Sequence, residues 1–152
     1  QGPGVVPRLI ALAVRGAPDS APGGYESTSA ATPALRALGN IVTGDDAQTQ
    51  AVVDAGVVPV LRRLLGASKA SVRKEAAWAL SNITAGNASQ IQAVIDAGVV
   101  PSLVQAMREG SNDLAKEASW ALSNATSGAS QGQFPALLRA GVLDALLERA
   151  RS

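Results

Sequence analysis

The stretch Lys74-Glu-Ala-Ala-Trp-Ala-Leu-Ser-Asn82 decides the fold, because it recurs almost unchanged as Lys116-Glu-Ala-Ser-Trp-Ala-Leu-Ser-Asn124. A more divergent copy, Ala34-Leu-Arg-Ala-Leu-Gly-Asn40, precedes both. The closing asparagine stands at residues 40, 82 and 124, so the copies are 42 residues apart. Self-similarity at a fixed period of about 20 to 50 residues is typical of solenoids and related repeat arrays.

A second motif follows the same period. Gly-Val-Val-Pro begins at Gly4, Gly56 and Gly98, and a degenerate Gly-Val-Leu-Asp begins at Gly141. Glycine just outside a helix and proline in its first turn are typical of helix boundaries. A helical period near 42 residues lies in the range of HEAT and armadillo repeats.

Three helices of increasing length are predicted in the best-preserved unit. Asp45 or Asp46 is expected to cap the first helix and Ser71 the third. The predicted helices run to about Ala55, from about Pro59 to Gly66, and from Val72 to about Ala85. A triplet of this kind is the armadillo arrangement rather than the two-helix HEAT arrangement. The sequence therefore predicts an all-α, right-handed superhelical armadillo solenoid with no sheet.

The chain is divided accordingly into one segment of repeats. Complete repeats are predicted at residues 45–86 and 87–128, flanked by partial repeats at 1–44 and 129–152. The first partial repeat contains about ten extra residues, which are interpreted as a passive loop over residues 17–30. The pair Thr32-Pro33 is expected to mark the start of the third helix after this loop.

The composition excludes most enzyme chemistries. The 152 residues include no His and no Cys, which leaves no Ser–His or Cys–His pair, no zinc site of those ligands and no disulfide. No catalytic residue, metal or cofactor is predicted. The formal net charge of +1 argues against binding nucleic acid or membranes through bulk charge. The basic group Lys69, Arg73 and Lys74 is interpreted as a solvated face rather than a nucleic-acid patch.

One face of the third helices is polar and carries both tryptophans of the chain. Helical spacing groups these residues on that face: Ser71, Glu75, Trp78 and Asn82, and one repeat later Asp113, Glu117, Trp120 and Asn124. The opposite, core-facing positions are small or aliphatic: Val72, Ala76, Leu80 and Ile83. Because third helices stack side by side in a solenoid, the polar faces are expected to form a continuous ladder.

Such a ladder fits an extended basic peptide. Indole faces attract Lys and Arg heads and cover their aliphatic stems. Asparagine side chains can bond peptide backbone as donor and acceptor, and glutamates can pair with the basic heads. The alternative is that the Trp and Asn side chains merely pack the joint between repeats.

Residues 32–44, 74–87 and 116–128 closely resemble consecutive repeats of importin α, the adaptor family of nuclear import. The similarity is to the sixth, seventh and eighth repeats, which in that family carry the minor site for nuclear localisation signals. The resemblance implies Lys/Arg-rich cargo proteins, importin β and an export receptor as partners of the full-length protein. It also implies that the protein shuttles between cytoplasm and nucleus.

The resemblance assigns roles to individual residues. Trp78 and Trp120 would sandwich cationic side chains, and Glu75 and Glu117 would pair with them. Arg36 stands where a tryptophan is expected, as it does in the family. The remaining assigned residues are the backbone-clamping Asn40, Asn82 and Asn124, the lysine-pocket residues Val42, Thr43 and Thr49, and Ser81.

A second interpretation is another armadillo scaffold, of the catenin or signalling type. Such a scaffold would bind an acidic or amphipathic partner, so Lys and Arg would be expected along the ladder. The sequence instead places Trp, Asn and Glu there, which favours a basic peptide as the partner.

Overall fold

The computed structural model describes residues 5–14, 25–43 and 45–151, and these residues form α-helices without any strand. The helices in chain order are α1 (Val5–Val14), α2 (Tyr25–Ile41), α3 (Asp46–Asp54), α4 (Val57–Leu64), α5 (Ala70–Thr84), α6 (Ala88–Asp96), α7 (Val99–Glu109), α8 (Asn112–Gly128), α9 (Phe134–Arg139) and α10 (Val142–Arg151).

The helices repeat as triplets. The short first helices are α3, α6 and α9, the second helices are α1, α4, α7 and α10, and the long third helices are α2, α5 and α8. Helix α5 lies between α2 and α8 and packs against both, so the third helices stand side by side. The predicted all-helical solenoid is confirmed.

Glycines in the left-handed conformation join each first helix to the following second helix. Gly56, Gly98 and Gly141 have φ angles of 95°, 72° and 84°. A residue with a Cβ adopts such angles at a cost, which explains why the repeated motif begins with glycine. The second helix then begins at Val57, two residues before the predicted start, and Pro59 lies in its first turn.

The start of α5 differs from the prediction that Ser71 caps it. The N-cap residue is Lys69, and Ser71 lies in the first turn. The Arg73 guanidinium donates to the carbonyl oxygens of Ala67 and Ser68, at 2.6 and 3.0 Å. These bonds hold the preceding loop against the helix and satisfy carbonyls there, so a serine side chain is not needed to define the start.

Helix α2 also begins earlier than predicted, at Tyr25 rather than near Pro33. Residues 25–30 of the predicted loop are therefore helical, and residues 17–24 lie outside the described part of the chain. The stretch from Tyr25 to Thr32 contains no glycine or proline that would stop a helix. Pro33 lies inside α2, where it removes one helical hydrogen bond and its ring crowds the preceding turn, yet the helix continues to Ile41.

The core is continuous across the repeats. The predicted core positions of α5, Val72, Ala76, Leu80 and Ile83, are completely buried. The largest buried side chains of the neighbouring helices include Leu35, Leu61, Ile91, Leu103 and Leu122. Small residues on α5 let it approach α2 and α8 closely, which brings the polar faces of these helices next to one another.

Two buried glutamines bond successive first helices together. The Gln90 side chain accepts from the Asn87 amide at 3.0 Å and donates to the Asp46 carbonyl at 3.3 Å. Gln133 is arranged in the same way: it accepts from the Ser130 amide at 3.0 Å and donates to the carbonyl of Ala88 at 2.7 Å.

Replacing Gln90 with Ala should lower the free energy of unfolding by about 1–3 kcal/mol, because this fully buried side chain is removed and both the Asn87 amide and the Asp46 carbonyl lose their partner. Gln48 occupies the same position in the preceding repeat but is exposed, so Gln48→Ala is the matched control and should cost less than about 0.5 kcal/mol. Urea denaturation followed by circular dichroism measures both. Equal losses of unfolding free energy in the two variants would contradict the role of Gln90 as a bridge between repeats.

Candidate functional site

The predicted ladder lies on α2, α5 and α8. We call it the tryptophan face and define it by three pairs of residues, one pair on each helix: Arg36 and Asn40, Trp78 and Asn82, and Trp120 and Asn124. The three first members occupy one repeat position and the three asparagines another, each 42 residues apart. Because α5 packs between α2 and α8, the three pairs stand on adjacent helices as successive rungs.

The two indoles differ in exposure. Trp120 is 56% exposed, whereas Trp78 is half-buried. The Trp78 ring lies directly on Gly39, where an added Cβ would come 2.7 Å from Cε3 and closer still to Cζ3. Residue 81, one repeat later, is a serine rather than a glycine. The missing side chain at Gly39 therefore lets the Trp78 ring settle against the backbone of α2.

Sequence reasoning did not single out Gly39. The only signal was that glycine replaces serine in the otherwise repeated Leu-Ser-Asn motif. In the structure this glycine is buried and decides how far Trp78 projects.

The asparagines are fixed by bonds to the preceding repeat. Asn82 Nδ2 donates to the Gly39 carbonyl at 3.2 Å, and Asn124 Nδ2 donates to the Ser81 carbonyl at 3.0 Å. Both side chains are half-buried. A carboxamide has two N–H donors and one oxygen acceptor, and this bond uses one donor. The same side chain can therefore hold two repeats together and still offer its remaining polar atoms to a ligand.

The first rung contains an internal ion pair. Arg36 Nε lies 2.9 Å from Glu75 Oε1, and the side chains are 64% and 11% exposed respectively. Glu75, predicted to pair with a basic ligand side chain, is thus engaged by a guanidinium of its own chain. One repeat later the equivalent of Arg36 is Trp78, and Glu117 is half-buried. Glu117 on α8 therefore has an indole rather than an arginine at the equivalent position of the preceding helix.

The predicted lysine-pocket residues lie at different depths. Thr43 is exposed near Asn40, and its hydroxyl donates to the Asn40 carbonyl at 2.6 Å. Val42 and Thr49 are buried, and the Thr49 hydroxyl donates to the Val42 carbonyl at 3.0 Å. Ser81 is also buried beneath the face. Of the three pocket residues, only Thr43 is presented to the outside.

Within residues 5–14, 25–43 and 45–151, no group of three or more His, Cys, Asp or Glu could hold a metal ion. None of the helices described for this chain combines the length and apolar character that crossing a membrane requires.

The geometry is that of an armadillo-type scaffold whose third helices present a polar ladder. The profile of the armadillo/beta-catenin-like repeat family matches residues 45–85 and 87–127, and the chain belongs to this family. It is 34% identical to a designed armadillo repeat protein in complex with the peptide (KR)4. The TM-score is 0.83, with 95% of this chain and 56% of that chain covered.

Among natural proteins the similarity is to importin α subunits. The chain is 50% identical over 76 residues to importin subunit alpha-3 of Arabidopsis thaliana. It is 47% identical, also over 76 residues, to importin subunit alpha-1a of Oryza sativa subsp. japonica. Each match covers 49% of this chain and only 12% of the relative's length. The chain is thus an importin-α-like armadillo segment.

Replacing Gly39 with Ala should displace the Trp78 ring and destabilise the protein by about 1–3 kcal/mol, because the new methyl group overlaps the indole. In a Trp120→Phe background Trp78 is the only tryptophan, and its fluorescence on selective tryptophan excitation should shift to longer wavelength as the ring becomes more hydrated. Gly132→Ala is the control, since a Cβ there meets nothing within 4 Å. An unshifted spectrum in Gly39→Ala would contradict the contact.

Proposed function

We propose that the tryptophan face binds a Lys/Arg-rich peptide in an extended conformation, as the cargo-binding surface of a nuclear import adaptor. The observation that supports this most strongly is the pairing of a Trp with a fixed Asn on both α5 and α8, repeated at one residue position. A repeated pair can contact successive segments of one extended chain.

The tryptophans would supply affinity for basic side chains. Trp120, 56% exposed, offers an indole face to a cationic head, and the half-buried Trp78 offers the edge of a slot on the neighbouring helix. A cation over an indole gains about 0.5–1 kcal/mol at exposed sites and about 2 kcal/mol when desolvated. The half-buried carboxylate of Glu117, on the same helix as Trp120, would add a charge-assisted hydrogen bond to a Lys or Arg of the peptide.

The asparagines would bind the peptide backbone. Their bonds to Gly39 and Ser81 orient the carboxamides before a ligand arrives, so little rotamer entropy is lost on binding. A backbone clamp of this kind accepts many sequences and leaves the choice of side chains to the indoles and carboxylates.

The first rung would contribute differently. Because Arg36 pairs with Glu75, its guanidinium neutralises the carboxylate that would otherwise attract a basic side chain, and this rung has no indole. Basic residues of the ligand would therefore concentrate at the rungs of α5 and α8.

The biological role would follow from these interactions. The designed neighbour was solved with the peptide (KR)4, and the natural relatives are importin α subunits. We infer basic cargo proteins as partners, a role in nucleocytoplasmic transport and no enzymatic activity. Importin β and an export receptor are inferred partners of the longer protein.

The double variant Trp78→Ala, Trp120→Ala should weaken binding of a Lys/Arg-rich peptide by roughly ten- to a thousandfold, since two cation–π slots are lost. Isothermal titration calorimetry measures the change, and circular dichroism checks the fold. Phe134→Ala removes an exposed aromatic outside the face and should bind normally. Full-strength binding by a folded double variant would overturn the proposal.

Replacing Asn82 with Ala should weaken the binding of many basic peptides to a similar extent, about fivefold, because a contact of about 1 kcal/mol to the peptide backbone is lost. Asn82→Ala also removes the bond to Gly39. The control is therefore Thr84→Val, which removes another bond between repeats, from the Thr84 hydroxyl to the Ala121 carbonyl, in the buried core. If Thr84→Val weakens binding as much as Asn82→Ala, the asparagine acts only through the joint.

A further inference from the structure

An exposed apolar stripe runs along α10. Leu143 and Leu147 are 44% and 46% exposed, and Ala150 is exposed one turn later. Helical spacing puts these three side chains within about 60° of one another. They lie on the opposite side of the helix from the buried Ala145, which lines a cavity together with Met107 of α7. We call Leu143, Leu147 and Ala150 the α10 stripe.

The α10 stripe repeats a surface that already binds a helix elsewhere in the chain. Its equivalents on α7, counted from the glycines that precede the two helices, are all buried: Val100, Val104 and Met107. Helix α10 itself packs against α7. The same three repeat positions are therefore covered by a helix on α7 and exposed on α10, so the stripe has the composition and spacing of a helix-docking surface.

Two opposite charges flank the α10 stripe on one side. Asp144 and Arg151 are both exposed and lie seven residues apart, so they point in nearly the same direction about two helical turns from each other. Neither forms an ion pair with a residue in the described part of the chain. If two copies of α10 meet antiparallel through the stripe, Asp144 of each copy lies opposite Arg151 of the other. The charge pattern is thus complementary to itself.

Head-to-tail stacking of copies does not satisfy the same charges. Within the chain, Arg108 of α7 pairs with Glu148 of α10, with an Nε–Oε2 distance of 3.0 Å. The repeat equivalent of Arg108 on α10 is Arg151. If α1 of another copy stacked there as α10 stacks on α7, the residue at the position of Glu148 would be Ala11, with Arg8 one turn away. Arg151 would then face a cation instead of a carboxylate.

We propose that the α10 stripe binds the same stripe of a second copy of this chain, in an antiparallel dimer with two-fold symmetry. An interface in which the same patch is used by both copies closes on itself, so association stops at the dimer. The neighbouring α9 adds two exposed side chains, Phe134 and Leu138, at the same end of the array. The surface contains no residue of the tryptophan face, so the inference goes beyond the proposed function and does not depend on it.

Sedimentation equilibrium of the chain over a range of concentrations tests the dimer. The wild type should fit a monomer–dimer equilibrium with no larger species. Leu147→Glu places a carboxylate near the two-fold axis, where it meets its own copy, and should raise the dissociation constant at least about tenfold. Val5→Glu is the matched control, because Val5 is a similarly exposed aliphatic residue on α1 and should leave dimerisation unchanged. Equal weakening by Val5→Glu would indicate head-to-tail contact and overturn the proposal.

Charge exchange tests the antiparallel arrangement. Asp144→Arg and Arg151→Asp should each raise the dissociation constant about tenfold, because the broken pair occurs twice in a symmetric dimer and like charges take its place. The double variant Asp144→Arg, Arg151→Asp restores both pairs and should return to within about twofold of the wild type. Circular dichroism checks that each variant is folded. A double variant as weak as the two single variants would be inconsistent with this pairing.

The remaining outcomes separate the dimer from other contacts. Trp78→Ala, Trp120→Ala should dimerise as the wild type does, and loss of the dimer in this folded variant would assign the contact to the tryptophan face. A chain that stays monomeric at every concentration would leave the stripe to another protein segment, and growth beyond the dimer would indicate an open array. Each of these three results would overturn the proposal. Failure to bind a basic peptide would affect only the proposed function.

Discussion

The structure depends on side-chain amides that bond one repeat to the backbone carbonyls of the repeat before it. Asn82 and Asn124 do this between third helices, and Gln90 and Gln133 between first helices. Apolar packing between helices fixes distance but tolerates sliding, whereas a hydrogen bond to one particular carbonyl fixes the register. The amides therefore hold successive helices in the same relative position, and the 42-residue period of the sequence becomes a regular spacing in space.

The tryptophan face inherits its regularity from these bonds. Asn82 and Asn124, which set the register, each stand one turn from a Trp, so joint and ligand surface share residues. The face is nevertheless uneven. Gly39 seats the Trp78 ring, Ser81 stands at the equivalent place near Trp120, and Arg36 replaces the indole at the first rung. The helices are regularly spaced, but differences at single positions give each rung its own preference for a ligand side chain.

Much of this could be predicted from the sequence, because the repeat determines helix number and the buried face. The core positions Val72 and Ile83 followed from spacing and propensity alone, as did a cap at Asp45 or Asp46, of which the structure uses Asp45. Helix starts were less predictable, since Arg73 stabilises the loop before α5 through a contact that no local rule contains. The Arg36–Glu75 pair and the Trp78–Gly39 contact join residues 39 apart in both cases. Sequence periodicity brings such residues onto adjacent helices but does not specify which side chains touch.

The amide bonds share one direction, and this has a consequence for synthesis on the ribosome. In all four the donor belongs to the later repeat and the acceptor carbonyl to the earlier one. The acceptors of these four amide bonds thus emerge from the exit tunnel before the donors that bind them, although the Thr84 hydroxyl, which donates to the Ala121 carbonyl, runs the other way. A newly made repeat finds the carbonyls for its amides already in place, so this part of each joint is suited to vectorial growth from the N-terminal side.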